Sequence, residues 1–111
     1  MDKTYELIFC IVNAGYSGTV MDAARSAGAS GGTLLRGRGS AAKEAEDLFH
    51  IEIEPEKEIV MILAPAEIKD AIMSTVYKEA GLASAGQGII FSLPVTRTAG
   101  LAQVHEEDKK E

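Results

Sequence analysis

The chain has no tryptophan, a single cysteine, three prolines, and aromatic residues at only 5% of its length. One cysteine, Cys10, excludes an intrachain disulfide, and its position inside an apolar run marks it as a small buried hydrophobe. Positive charge is also scarce. The 11 Lys and Arg against 17 Asp and Glu leave a formal net charge of −6 and a pI near 4.9. Nucleic-acid binding draws on cations that displace condensed counterions, so this balance excludes nucleic acid as a general partner. No apolar run approaches the ~20 residues of a membrane-spanning helix. The opening residues, Met1 to Glu6, lack the basic start of a secretory signal, so the cytoplasm is the expected compartment. His50 and His105 lie far apart and neither has metal-ligand spacing, so no metal is expected.

What remains is an ordinary globular composition, 46% apolar and 25% charged over 111 residues. That is enough apolar side chain to build one core without staples and too much for a disordered chain. One domain over residues 1–104 is expected, with residues 105–111 as a charged, disordered tail.

Tyr5 to Val12 is a β-rich apolar run that reads as a strand buried on both faces. Turn residues Asn13, Gly15, Ser17 and Gly18 interrupt it. Val20, Ala23, Ala24 and Ala27 then recur at helical spacing from Thr19, with Ser17 or Thr19 as the expected cap and Gly28 as the stop. A strand is expected around Gly32 to Arg36, running into a glycine-rich loop, followed by a small, charged stretch from Ser40 to Asp47. Between Leu48 and Glu54, Phe49, Ile51 and Ile53 alternate with His50, Glu52 and Glu54, the pattern of a half-exposed strand. Pro55 interrupts it, and the chain either turns there or bends and continues. Ile59 to Ala64 reads as a second fully buried strand. Pro65 opens a helix with an apolar stripe of Ile68, Ala71, Ile72, Thr75 and Val76, ended by Gly81. Ile89 to Leu93 is the last strand, closed by Pro94. The order β-α-β-β-α-β predicts an α+β fold of ferredoxin-like type, an antiparallel sheet with both helices on one face.

Few residues carry obvious chemistry. Gly37-Arg38-Gly39 with Arg36 has the composition of an anion-binding loop, in which backbone N–H groups and guanidinium forks meet phosphate; the same residues also suit a plain solvated loop. Gly86-Gln87-Gly88 is open to two readings as well, a turn that admits a phosphate or simply a tight turn. The acidic residues Glu44, Glu46, Asp47, Glu52, Glu54, Glu56 and Glu58 read as solvated charge rather than acid–base machinery. No nucleophile stands beside a base, so an enzyme is not expected. Met21, Met61 and Met73 fall at core-type positions.

Taken together, Gly28-Ala29-Ser30-Gly31-Gly32-Thr33 before the second strand, the glycine loop after it, and Gly81 with Gly86-Gln87-Gly88-Ile89-Ile90-Phe91 before the last strand resemble the PII signalling proteins. The likeness is closer to their divergent, PII-like branch and extends to about Val95. The family's first motif reads approximately Gly-x-Thr-Gly-x-Thr, and its B-loop approximately Thr-Gly-x-x-Gly-Asp-Gly-Lys-Ile-Phe. The resemblance implies a cytoplasmic homotrimeric regulator, recruited to a membrane where its partner lies there. An adenine nucleotide would bind in the clefts between subunits, and a mobile T-loop would report its presence to a membrane transporter or a metabolic enzyme. By position it implies that Thr33 approaches the adenosine and that Gly39 matches the T-loop base. It places Gly86, Gln87 and Gly88 at the phosphates and Lys57 at the far side of the T-loop base. Arg36, Arg38 and Arg97 are the cations left to join them.

The departures from the family pattern bear on the ligand. Ile89 replaces the B-loop lysine, the B-loop is longer by about two residues, and the C-terminal arginines have no counterpart near Gly100 and Ala102. The T-loop segment, Ser40 to Glu56, is short and has no tyrosine, which excludes its uridylylation, and its Mg-binding glutamine has no match. A charged hydrogen bond is worth ~1.5–3 kcal/mol, so losing two or three cations costs ATP orders of magnitude in affinity. AMP, ADP or another nucleotide of low charge is expected unless Arg36 and Arg38 fold over the cleft and restore ATP binding. The alternative is a trimeric adaptor of the same fold that no longer binds nucleotide.

Overall fold

A computed structural model describes residues 4–39, 56–83 and 88–101. The elements within them are β1 (Tyr5–Asn13), α1 (Ser17–Ser26), β2 (Thr33–Arg38), β3 (Glu56–Pro65), α2 (Ala66–Glu79) and β4 (Ile89–Val95). The expected strand from Leu48 to Glu54, the geometry at Pro55 and the 105–111 tail lie outside the described residues. The strands form one sheet in the order β2-β3-β1-β4, and all three pairings are antiparallel. Both helices pack on one face of this sheet, the ferredoxin-like arrangement that the element order predicts.

The period-2 pattern of the two central strands sets the core. Ile8, Cys10 and Val12 of β1 and Val60, Ile62 and Ala64 of β3 point toward the helices and are almost completely buried. Val20, Ala23 and Ala24 of α1 and Ile72 and Val76 of α2 meet them there. Each buried Ile or Val contributes roughly 1.5–3 kcal/mol relative to an exposed one.

Four expectations need correction. β1 and β3 are not buried on both faces: every second residue of each, from Tyr5 to Asn13 and from Lys57 to Pro65, is only half-buried, because both described helices pack on the other side. β4 does not stop at Pro94, which pairs opposite Glu6. β4 is an edge strand, where a proline is tolerated because only one side of the strand is needed for the ladder. Ala71 is exposed rather than part of the apolar stripe of α2. Finally, neither Ser17 nor Thr19 caps α1. The helix begins at Ser17 itself, after Tyr16, with no cap from its own segment. The carboxylate of Glu58 on β3 reaches across instead and accepts the Ser17 N–H at 3.0 Å.

Candidate functional site

The face of the sheet opposite the helices is apolar and, among the described residues, largely open. Cross-strand partners share a face, so Leu7, Phe9 and Ile11 of β1 lie in one layer with Ile59, Met61 and Leu63 of β3, Leu35 of β2, and Ile89, Phe91 and Leu93 of β4. Phe9 stacks on Phe91 with ring centroids 5.3 Å apart and planes 8° from parallel. Leu35, Ile89 and Leu93 remain 45%, 56% and 46% exposed. A contiguous apolar face of this kind on one protomer marks an interaction surface.

A hollow of about 370 Å³ opens on this face, lined by Leu7, Met61 and Leu63 from the sheet, by Ser30 to Thr33, and by Leu101. Its wall is drawn tight by Gly32: a Cβ there would stand 2.9 Å from the Met61 carbonyl oxygen and 3.1 Å from both Ile62 Cγ1 and Met21 Sδ. Only a residue without a side chain lets the backbone approach β3 this closely. Thr33 is thereby set at the mouth of a pocket whose walls carry hydroxyls and backbone amides but no charge. Met61, expected in the core, lines this hollow.

The second group of expected residues sits at the other end of β2 and β3. Register pairs Arg36 with Glu58, Gly37 with Lys57 and Arg38 with Glu56. Arg36 and Arg38 therefore project on the helix side of the sheet, whereas Lys57 and Thr33 lie on the open side. Lys57 donates from Nζ to Asn13 Oδ1 at 2.7 Å, and Gly39 rides over its stem, where a Cβ would be 3.0 Å from Lys57 Cε. Glu58 is not solvated charge: it is only 6% exposed. Hydrogen bonds from the Ser17 hydroxyl, the Ser17 N–H and the Gly15 N–H, with Arg36 close by, hold its carboxyl below the usual carboxylate range against the opposing effect of burial.

Gly88 enters β4 at this same end of the sheet, against Ile11 and Val12. Gly86 and Gln87 lie outside the described residues. Ile89, which the resemblance sets in place of a phosphate-pairing lysine, is exposed. Arg97 follows Val95, the partner of Tyr5, and is exposed beyond that end of the sheet, away from Arg36 and Arg38.

The expected site residues are thus spread along the sheet of one protomer. Arg36, Arg38, Gly39, Lys57 and Gly88 gather at the Asn13 end of β1, Thr33 lies level with Phe9 at its middle, and Arg97 lies beyond its Tyr5 end. Met61, the partner of Thr33, and Lys57 are separated along β3 by about 13 Å at ~3.3 Å per residue. Sequence reasoning missed Asn13, Glu58 and the open apolar face. A signal for Glu58 was present: it stands in phase with Val60, Ile62 and Ala64, the buried positions of an alternating strand.

The family model described as nitrogen regulatory protein P-II matches residues 5–104. Among solved structures, PII from Arabidopsis thaliana bound to citrate is similar over 92% of this chain and 84% of its own, with a TM-score of 0.65 and 20% identity. The GlnK–ATP complex of B. subtilis is similar over 93% and 92%, with a TM-score of 0.67 and 14% identity. CPII, a PII-like protein from Thiomonas intermedia K12 bound to ADP, AMP and bicarbonate, is similar over 86% and 97%, with a TM-score of 0.61 and 14% identity. No curated protein matches the sequence.

Proposed function

The chain belongs to the nitrogen regulatory protein P-II family, whose members are regulators rather than enzymes, and from that premise we propose that it works as a homotrimeric sensor of an adenine nucleotide. Residues 1–104 act as one unit, with residues 105–111 appended to it. The nucleotide lies between protomers. One copy contributes Thr33, the uncharged hollow and Arg97. The next contributes the Asn13 end of its sheet, with Gly39, Lys57 and the Gly86-Gln87-Gly88 turn. The carrying observation is that arrangement: Thr33 lies about 13 Å along β3 from Lys57 and on the opposite side of the sheet from Arg36 and Arg38, and the apolar face beside it is open among the described residues. Burying Leu35, Phe91 and Leu93 against further copies supplies the drive for assembly.

Likeness to GlnK bound to ATP and to CPII bound to ADP and AMP supports an adenine nucleotide as the ligand. An uncharged hollow, the exposed Ile89 and the projection of Arg36 and Arg38 on the helix side all favour a nucleotide with few phosphates, AMP or ADP over ATP. The connection between Arg38 and Glu56 carries the signal to a cytoplasmic metabolic enzyme or to a transporter that draws the trimer to the membrane. A ligand moves that equilibrium only by binding its states unequally.

A nucleotide-independent adaptor is the second reading, and one observation favours it. Gly88 is required by its contact with β1 whether or not a phosphate is ever present. Sedimentation equilibrium combined with calorimetric titration of AMP, ADP, ATP and cyclic nucleotides separates the two readings. A trimer that binds AMP or ADP more tightly than ATP supports the sensor. A trimer silent to the whole panel supports the adaptor, and a protomer that stays single at micromolar concentration overturns both.

A further inference from the structure

We propose that the β1–α1 turn, Asn13 to Ser17, is a clamp that holds the base of the 39–55 connection, with Glu58 as its positioning residue. Three consecutive residues at the returning end of that connection each grip the turn. The Glu56 carbonyl accepts the Ala14 N–H at 3.2 Å, Lys57 Nζ donates to Asn13 Oδ1 at 2.7 Å, and the Glu58 carboxylate accepts the Ser17 N–H at 3.0 Å. Successive side chains of a strand point to opposite faces. Lys57 therefore holds the turn from the open side of the sheet and Glu58 from the helix side, while the Glu56 backbone holds it between them. A strand end gripped from both faces and through its backbone can neither roll nor fray.

The outgoing end is held through the incoming one. Gly37 pairs with Lys57 and Arg38 with Glu56, and Gly39 packs over the Lys57 stem. Glu58 is central because it is buried and also serves as the missing cap of α1. A buried carboxylate that lost its donors would be costly, so the loop base and the N-terminus of α1 form one mechanical unit. Contact of a ligand or partner with the turn is thereby transmitted to the connection. This deepens the proposed signalling role, although the clamp itself needs no nucleotide.

The test is amide hydrogen exchange on the nucleotide-free protein, comparing wild type with Asn13→Ala and Glu58→Gln. The clamp predicts exchange on the order of tenfold faster at Ala14 and at Gly37–Gly39 and Glu56–Glu58, consistent with losing about one hydrogen bond of local stability. Core amides at Ile8, Ile62 and Ile72 keep wild-type rates. Wild-type rates at the loop base in both variants overturn the proposal, and so does equal acceleration throughout the core. Should Glu58→Gln fail to fold, Asn13→Ala, at a half-exposed position, decides alone. Because no nucleotide is added, the clamp stands or falls on these rates even if the protein binds none.

Discussion

Gly88 lies so close to Ile11 that a Cβ on it would stand 2.5 Å from the Ile11 carbonyl oxygen, with Val12 Cγ1 at 2.7 Å. Backbone cannot move aside as the end of a side chain can. Gly88→Ala is therefore expected to destabilise the protein by about 1–3 kcal/mol, the usual range for overpacking. Gly31→Ala, where nothing lies within 4 Å, is the matched control and is expected to change little. Urea midpoints of the two variants check this; equal midpoints would mean that the entry of β4 adapts freely.

The open face predicts a change of assembly. Phe91 is 37% exposed and stacked on Phe9 in the middle of the apolar layer. Phe91→Glu places a charge on the surface proposed to join protomers and removes an aromatic pair worth ~0.5–1.5 kcal/mol. Sedimentation velocity is expected to show a single protomer in place of the proposed trimer, with circular dichroism close to wild type. A variant that sediments as the wild type does would move the contact elsewhere.

Glu58 predicts a pH dependence of defined sign. Its carboxyl is held low by the Ser17 hydroxyl, the Ser17 N–H and the Gly15 N–H, with a smaller contribution from Arg36. The folded value lies below the unfolded one, so between the two the unfolded chain binds more protons. The stabilisation is fully present above the unfolded value of about 4.3 and is lost as pH falls through the depressed folded value. Unfolding free energy measured from pH 7 to pH 3 should fall less steeply for Glu58→Gln than for wild type. Parallel profiles would show that other carboxylates account for the acid sensitivity.

Cys10 is fully buried, and burial pushes its thiol up to about 11. The thiolate is the reactive form, so a disulfide reagent at pH 8 is expected to leave the native protein almost untouched and to react at once after unfolding in urea. Rapid labelling of the native protein would reveal frequent opening of β1 from the helices.

Much of the fold is legible in the chain because local patterns carry it. The apolar runs Tyr5 to Val12 and Ile59 to Ala64, the helical spacing of Val20, Ala23 and Ala24, and the positive φ of Gly28 (113°) all follow from local composition, periodicity and backbone sterics. The Gly31-Gly32-Thr33 segment stands out by its glycines and does line a hollow. Glu58 does not stand out, because among other acids its charge suggests solvent; its burial depends on donors supplied by Gly15 and Ser17, some forty residues earlier.

Residue order alone dictated two helices, the central strands and kinship with a regulatory family, since periodicity and short glycine motifs are local properties. Tertiary structure decided which strand face stays open, that Arg36 and Arg38 project away from Thr33, and that Lys57 and Glu58 fasten the turn before α1. Those outcomes follow from register and strand order, which bring together atoms that no local pattern relates.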